Sequence, residues 1–387
     1  MANLFEKNLD EFSRKFLVKN TSGAEPKPIE FISSLRRSER ELFENLILFD
    51  KISYKVSGEN IPLAVIISRL GVKKTEELIE QEAIEFLLWD QQILHFVNDN
   101  PGVNPLVTSS LREGPLKDPE TSIKTGLQWL KNPIRKSDER NIIRKASDIY
   151  RYPHSDLSRD MASFCNSAFE SGKLEFFGLS PRRTSLRHMN IKERNKLNEC
   201  AVKMMEYANM LEQGLTSYSD IGLYHLFDDS RKNIASAPKI KENYNEISQM
   251  ECLPDLREIY SFIENPYEKI IQIRNKKSSE KLRRWLSEKS VPGESTEISK
   301  EYLDAISRES KINTKTSKRL TKTIALSAVS TIAGTLAAGP YGGVVGFGAG
   351  LGGSLGVDLL DEFLLKKISK NWSPRVFFDD IRKLENR

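Results

Sequence analysis

Histidine is scarce in this chain, with four among 387 residues, and cysteine is scarcer still, with three. The cysteines, Cys165, Cys200 and Cys252, are odd in number and far apart. They exclude a disulfide framework, and no pair has metal-site spacing. Reduced, buried thiols of a cytosolic protein are the expectation. No His-Glu-x-x-His, no phosphate loop ending in Gly-Lys-Ser/Thr and no nucleophile elbow is present. No catalytic residue, cofactor or metal ligand is therefore assigned. Charge of one sign is also lacking: 59 basic against 54 acidic residues leave a net +5. That balance gives no global attraction for nucleic acid, which is not favoured as a partner. The N-terminal MANLFEKNLDEFSRKF carries acids and no apolar core, so neither a secretory signal nor a transit peptide is expected there.

Long uncharged runs are absent with one exception. Ile324 to Val357 reads IALSAVSTIAGTLAAGPYGGVVGFGAGLGGSLGV, between a basic flank and the acids Asp358, Asp361 and Glu362. One bilayer crossing takes about 20 apolar residues, so the run is too long for one straight helix and too short for two full ones. Pro340, inside Gly339-Pro340-Tyr341-Gly342, is a turn or kink signature and predicts a helical hairpin. Small residues then recur every fourth position: Gly342, Gly346, Gly350 and Ser354, and Gly348, Gly352 and Gly356. On a helix this spacing makes smooth stripes that let backbones approach closely, the packing mode of helices in lipid. Glycine costs about 1 kcal/mol per residue against alanine in a water-exposed helix, so membrane contact, burial in protein or a glycine loop are the alternatives. Gly348-x-Gly350-x-x-Gly353 matches a dinucleotide fingerprint in form only, since no strand precedes it.

Lys315, Lys318, Arg319 and Lys322 lie before the run, and Lys366 and Lys367 after it, as a basic collar suited to an anionic cytoplasmic leaflet. If Pro340 turns the chain back, both collars stand on one side. Trp372, Phe377 and Phe378 then suit either an interface or a small packed tail helix.

The rest of the chain reads as mainly α, multi-helical, with a small mixed α/β N-terminal module and the C-terminal glycine-rich hydrophobic helical hairpin. The module covers residues 1–98, with a helix over Phe31 to Phe49, an alternating strand at Ile52, Tyr54 and Val56, a helix from Pro62 to Gly71, a short helix over Glu76 to Glu82, and a strand from Ile84 to Trp89. A return strand passes through Ile93, His95 and Val97. Prolines and glycines over 99–118 predict a linker. A helical domain follows over 119–290, with helices at Ser122 to Leu130, Arg135 to Tyr150 and Ser155 to Phe169, the last capped by Ser155 or Asp156. Asn190 to Gln213 is the longest, opened by the capping box Asn190 and Glu193. Pro266 starts one strong helix reaching Trp285, and Arg274, Lys276, Lys277, Lys281, Arg283 and Arg284 around it read as a solvated surface, with a phosphate-contacting face as the alternative. Residues 291–323 are a linker and basic helix, 324–357 the hairpin and 358–387 a tail.

Leu46 to Val56, the Leu253 to Leu286 unit and the tail with Asp361-x-Phe363 and Trp372-x-Pro374 resemble uncharacterised bacterial proteins with a C-terminal glycine-zipper segment. Those proteins have no assigned function. The resemblance covers about a third of the chain and carries over no functional residue, implying only a bacterial, cytosolic origin and a modular C-terminal segment. The leading expectation is a cytoplasmic protein associating with the inner membrane, a toxin-like or phage-defence effector whose zipper inserts on assembly. Its partners would be the membrane, itself through the glycine stripes, or another protein. A soluble scaffold with the hairpin in its core, and a nucleic-acid-binding protein, are the alternatives.

Overall fold

The computed structural model describes residues 2–18, 27–95, 105–110, 115–218, 226, 236–251, 253–290, 297–302, 304 and 374–385. It is mainly helical, with a small parallel sheet in its N-terminal part. The strands are β1 (Asn3–Glu6), β2 (Lys51–Val56), β3 (Ile84–Leu88) and β6 (Tyr150–Arg151), in the spatial order β1-β2-β3-β6 and all parallel. Between them run α1 (Asn8–Phe16) and α2 (Pro28–Leu48), then α3 (Ile61–Leu70) and α4 (Val72–Glu80), then the antiparallel pair β4 (Gln91–His95) and β5 (Leu106–Ser110) with α5 (Pro119–Leu127) and α6 (Lys136–Asp148). After β6 come α7 (Leu157–Glu170) and α8 (Ile191–Gln213), and then α9 (Ser236–Met250), α10 (Leu256–Phe262), α11 (Pro266–Arg274), α12 (Lys277–Lys289) and α13 (Pro374–Glu385).

Alternation along the strands sends side chains to two different faces. Leu4, Ile52, Tyr54, Val56, Ile84, Phe86 and Leu88 enter the larger core, shared with α2 to α6 and α9 to α13. Phe5 and Leu87 enter a second core against α7, α8, Ile93 and Leu106. The second face also carries charge, which is why KISYKV alternates although parallel sheets buried on both faces usually read as continuous apolar runs. Its polar side chains are matched: Ser53 donates to Glu85, Lys51 pairs with Glu85 at 3.3 Å, and Lys55 and Lys7 pair with Glu206 of α8 at 3.0 and 2.9 Å. Burial would raise the Glu206 pKa, but the two lysines outweigh it and hold the carboxyl below its usual value.

Successive steps from β1 to β6 run in one direction, and α8 then carries the chain back to the far side of β1. There Thr216 forms a parallel bridge with Leu4, closed by Phe5 N–H to Thr216 O and Thr216 N–H to Asn3 O, both 2.7 Å. This bridge covers part of the outer edge of β1.

Local chemistry fixes the ends of α8 as expected. α8 has the capping box, with Asn190 accepting from Glu193 N at 3.0 Å and Glu193 accepting from Asn190 N at 2.9 Å, and it ends at Gly214 with φ 64°. Several expectations need correction. Residues 106–110, inside the stretch read as a linker, are the strand β5. The helix expected from Pro266 to Trp285 is two helices, the first ending at the C-cap Asn275 and the second starting after the N-cap Lys276. Asp156 stands at the N-cap of α7 but makes no capping bond, and pairs with Arg159 instead. Among the described residues no helix is long and apolar enough to cross a membrane.

Candidate functional site

Outside the carboxyl ends of parallel strands is where open α/β sheets place ligands. At the end of β1 and of the Thr216 bridge the chain leaves a cavity of about 240 Å³, lined by Glu6, Asn8, Glu41, Asn45, Tyr218 and Arg257 among others. A smaller recess beside it shares Glu6 and Asn45 and reaches Tyr54.

Glu6 is the central group. It is the last residue of β1 and is 8% exposed, with both carboxylate oxygens accepting from Leu9 N–H at 3.2 and 3.3 Å. Burial pushes its pKa up to about 8, Leu9 N–H works against that, and Glu41 adds to it. Glu6 is therefore mostly protonated at neutral pH, while its neighbour Glu41 accepts from Asn8 Nδ2 at 3.1 Å.

Acceptors around Glu6 are left over. Asn45 Oδ1 and the hydroxyls of Tyr54 and Tyr218 are buried and have no hydrogen-bond partner among the described residues. Burial, and then Glu6, hold the Tyr54 hydroxyl well above its usual pKa. Glu44 closes the rim, paired with Lys241 of α9 at 2.8 Å and Arg257 of α10 at 3.0 Å. The cleft thus offers a small polar ligand the buried carboxyl of Glu6, the Glu41 side chain and unused oxygens. It shows no nucleophile set beside a base.

α9 connects this cleft to a second feature. Lys241 stands on the cleft rim, and Tyr244, one turn further, packs on Phe378 and Phe377 of α13 with centroids 5.8 and 6.3 Å apart. Just past the helix, Glu251 accepts from Tyr302 and from Arg382, the latter at 2.7 Å. Phe377, Phe378 and Ile381 are fully buried, and Lys276 pairs with Asp380 at 2.8 Å. Tyr302 and α13, which precede and follow the glycine-rich run in sequence, are therefore packed on the same body.

Comparison with protein-family models, with curated proteins and with solved structures returns no match.

The residues singled out from sequence fall into two groups. Pro340, Gly342, Gly346, Gly348, Gly350, Gly352, Ser354 and Gly356, and the collar Lys315, Lys318, Arg319, Lys322, Lys366 and Lys367, all lie outside the described residues. The proposed phosphate-contacting face is taken apart: Arg274 and Arg283 are 4% and 7% exposed. Arg274 donates to the carbonyls of Leu46, Phe49 and Asp50, and Arg283 pairs with Asp50 at 3.3 Å. Their charge closes the C-terminal end of α2. Phe377 and Phe378 belong to the packed tail helix.

Sequence reasoning missed Glu6, Asn45 and Tyr54 as a set. Leu4-Phe5 running through Glu6 to Asn8 signals a strand end and a helix start, but not the burial of Glu6.

Proposed function

We propose that this chain is a membrane-acting protein whose body holds the glycine-rich run 324–357 by both ends, so that the run enters a membrane as a hairpin. In this reading the body restrains or senses, and the hairpin inserts as it assembles, in the manner of a toxin-like or phage-defence effector. The observation that carries the reading is the contact of Tyr302 with Phe378, ring centroids 6.3 Å apart. Both flanks start from one body, so one lone crossing would have to tear α13 from its core. An even number of passes, with Pro340 at the turn, leaves α13 seated. The glycine stripes favour entry as an oligomer, because weakly apolar helices gain little singly and much by close backbone packing.

Expression in bacteria with a membrane-impermeant dye tests the reading. The native chain is expected to admit the dye, and Gly346→Leu with Gly350→Leu is expected to abolish entry while the protein accumulates normally. Undiminished dye entry in that variant overturns the zipper mechanism. No dye entry with the native chain, which then stays in the soluble fraction, favours the scaffold reading.

A further inference from the structure

The first half of α2 presents an unusual solvent face. Ile29, Ile32, Arg36 and Arg40 follow one another at three- and four-residue spacing, with Ser33 and Arg37 alongside, so they share one side of the helix over about 16 Å. They line an open groove of about 420 Å³ that also reaches Arg257. Ile29 is 77% exposed and Ile32 48%. Their neighbour Phe31 faces the other way and stacks on Phe12 at 5.9 Å, so the isoleucines are outside because the helix register puts them there.

The arginines are uncompensated. Arg36, Arg37 and Arg40 are exposed, and none has an ion pair or hydrogen bond among the described residues. The acids of α2 are engaged elsewhere. Glu30 pairs with Lys15, Glu39 with Arg69 at 2.9 Å, Glu41 binds Asn8, and Glu44 pairs with Lys241 and Arg257. No acid lines the groove.

We infer that this face of α2, Ile29, Ile32, Arg36, Arg37 and Arg40, docks the body on an anionic lipid surface. Three unpaired arginines supply the attraction to acidic headgroups, and two isoleucines beside them enter the boundary between headgroup and acyl chain. The isoleucines decide between polyanions: a nucleic-acid backbone gives an exposed isoleucine nothing, whereas a lipid interface buries it. The inference rests on the membrane reading above and adds to it a reversible first step, made by the folded body before the glycine-rich run inserts.

The test is co-sedimentation of the full chain with vesicles of phosphatidylglycerol and phosphatidylcholine in equal parts, beside vesicles of phosphatidylcholine alone. The native chain is expected to bind the anionic vesicles, and binding is expected to fall steeply as salt rises from about 0.1 M to about 0.5 M. Each basic residue at such a surface contributes about a factor of five, so Arg36→Ala, Arg37→Ala and Arg40→Ala together should weaken binding about a hundredfold. The corresponding triple lysine variant should retain most of it, and Ile32→Ser should weaken it several-fold. These positions are exposed, so circular dichroism should show the native fold in every variant. Gly346→Leu with Gly350→Leu should keep the salt-sensitive binding and lose dye leakage from the vesicles, which separates docking from insertion. Binding by the triple alanine variant within twofold of native overturns the inference. So does duplex DNA binding that depends on the same arginines while anionic vesicles are ignored.

Discussion

Tyr302 and Phe378 meet edge to face, their ring centroids 6.3 Å apart and their planes at 88°. Tyr302 precedes the glycine-rich run in sequence and Phe378 follows it, so this pair joins two described segments that are far apart along the chain. Trp285 on one side and Tyr244 on the other extend the contact into a continuous aromatic cluster. α13 is consequently part of the body's core, although its sequence lies beyond the run.

Phe378→Ala tests that packing. A fully buried phenylalanine leaves a cavity when truncated and costs about 3–5 kcal/mol. Urea unfolding should show a loss of that size, and limited proteolysis should release the tail helix first. A loss under about 1 kcal/mol would mean that α13 is only lightly attached.

Glu6→Gln tests the buried carboxyl through pH. Glu6 holds its proton in the folded protein up to about pH 8 but loses it near 4.5 when unfolded. Between those values the folded state binds more protons, so Glu6 makes stability fall as pH rises. The glutamine variant should match the native protein below about pH 4.5 and become progressively more stable than it up to about pH 8. A stability difference that does not change across that window would show Glu6 to be ionised and compensated.

Gly126→Ala tests the packing of α5 on the start of α3. A Cβ at position 126 would stand 2.2 Å from the Asn60 carbonyl oxygen and 2.4 Å from its carbon, both backbone atoms. Asn60 caps α3 by accepting from Leu63 N at 2.9 Å and donates to the Tyr150 hydroxyl at 2.6 Å, so it has little freedom to move. Thermal unfolding should show a loss of about 3 kcal/mol, at the upper end for overpacking. An unchanged midpoint would show that the α3 and α5 contact yields freely.

Arg274→Leu separates structure from nucleic-acid binding. The guanidinium donates to three main-chain carbonyls at the end of α2, which the variant would leave buried without it. A loss of about 3 kcal/mol is expected. DNA binding, if any is measured, should be unaffected by the substitution at temperatures where both proteins are folded. Selective loss of DNA affinity at full stability would restore the phosphate-contacting role.

The parts of the fold legible in the sequence are those set by neighbours along the chain. The Asn190 and Glu193 box and Gly214 bound α8, and the alternation in KISYKV marks β2. The parts that escaped depend on distant partners. β1 and β6 are four and two residues long, too short for a period to show, and they exist because β2 and β3 lie beside them. β5 sits among prolines and glycines and is held by β4. The break after Arg274 has no proline or glycine to announce it, and Arg274 itself is held by the carbonyls of Leu46, Phe49 and Asp50, at and just beyond the end of α2. The character of Glu6 is likewise tertiary: nothing in Asn3 to Asn8 says that α2 will bury it beside Glu41 and Tyr54. The glycine-rich run was the most legible stretch of all and lies outside the described residues, so its reading rests on composition and on the packing of Tyr302 and α13, which precede and follow it in sequence.

The most direct test of the central claim, a hairpin held at both ends from one side, is protease accessibility of the full chain in bacterial membranes after a carbonate wash. The chain should resist the wash. Protease should leave α2 and α13 intact in spheroplasts and digest both in inverted vesicles. A chain that washes off, or an α13 cut in spheroplasts while α2 survives, would contradict it.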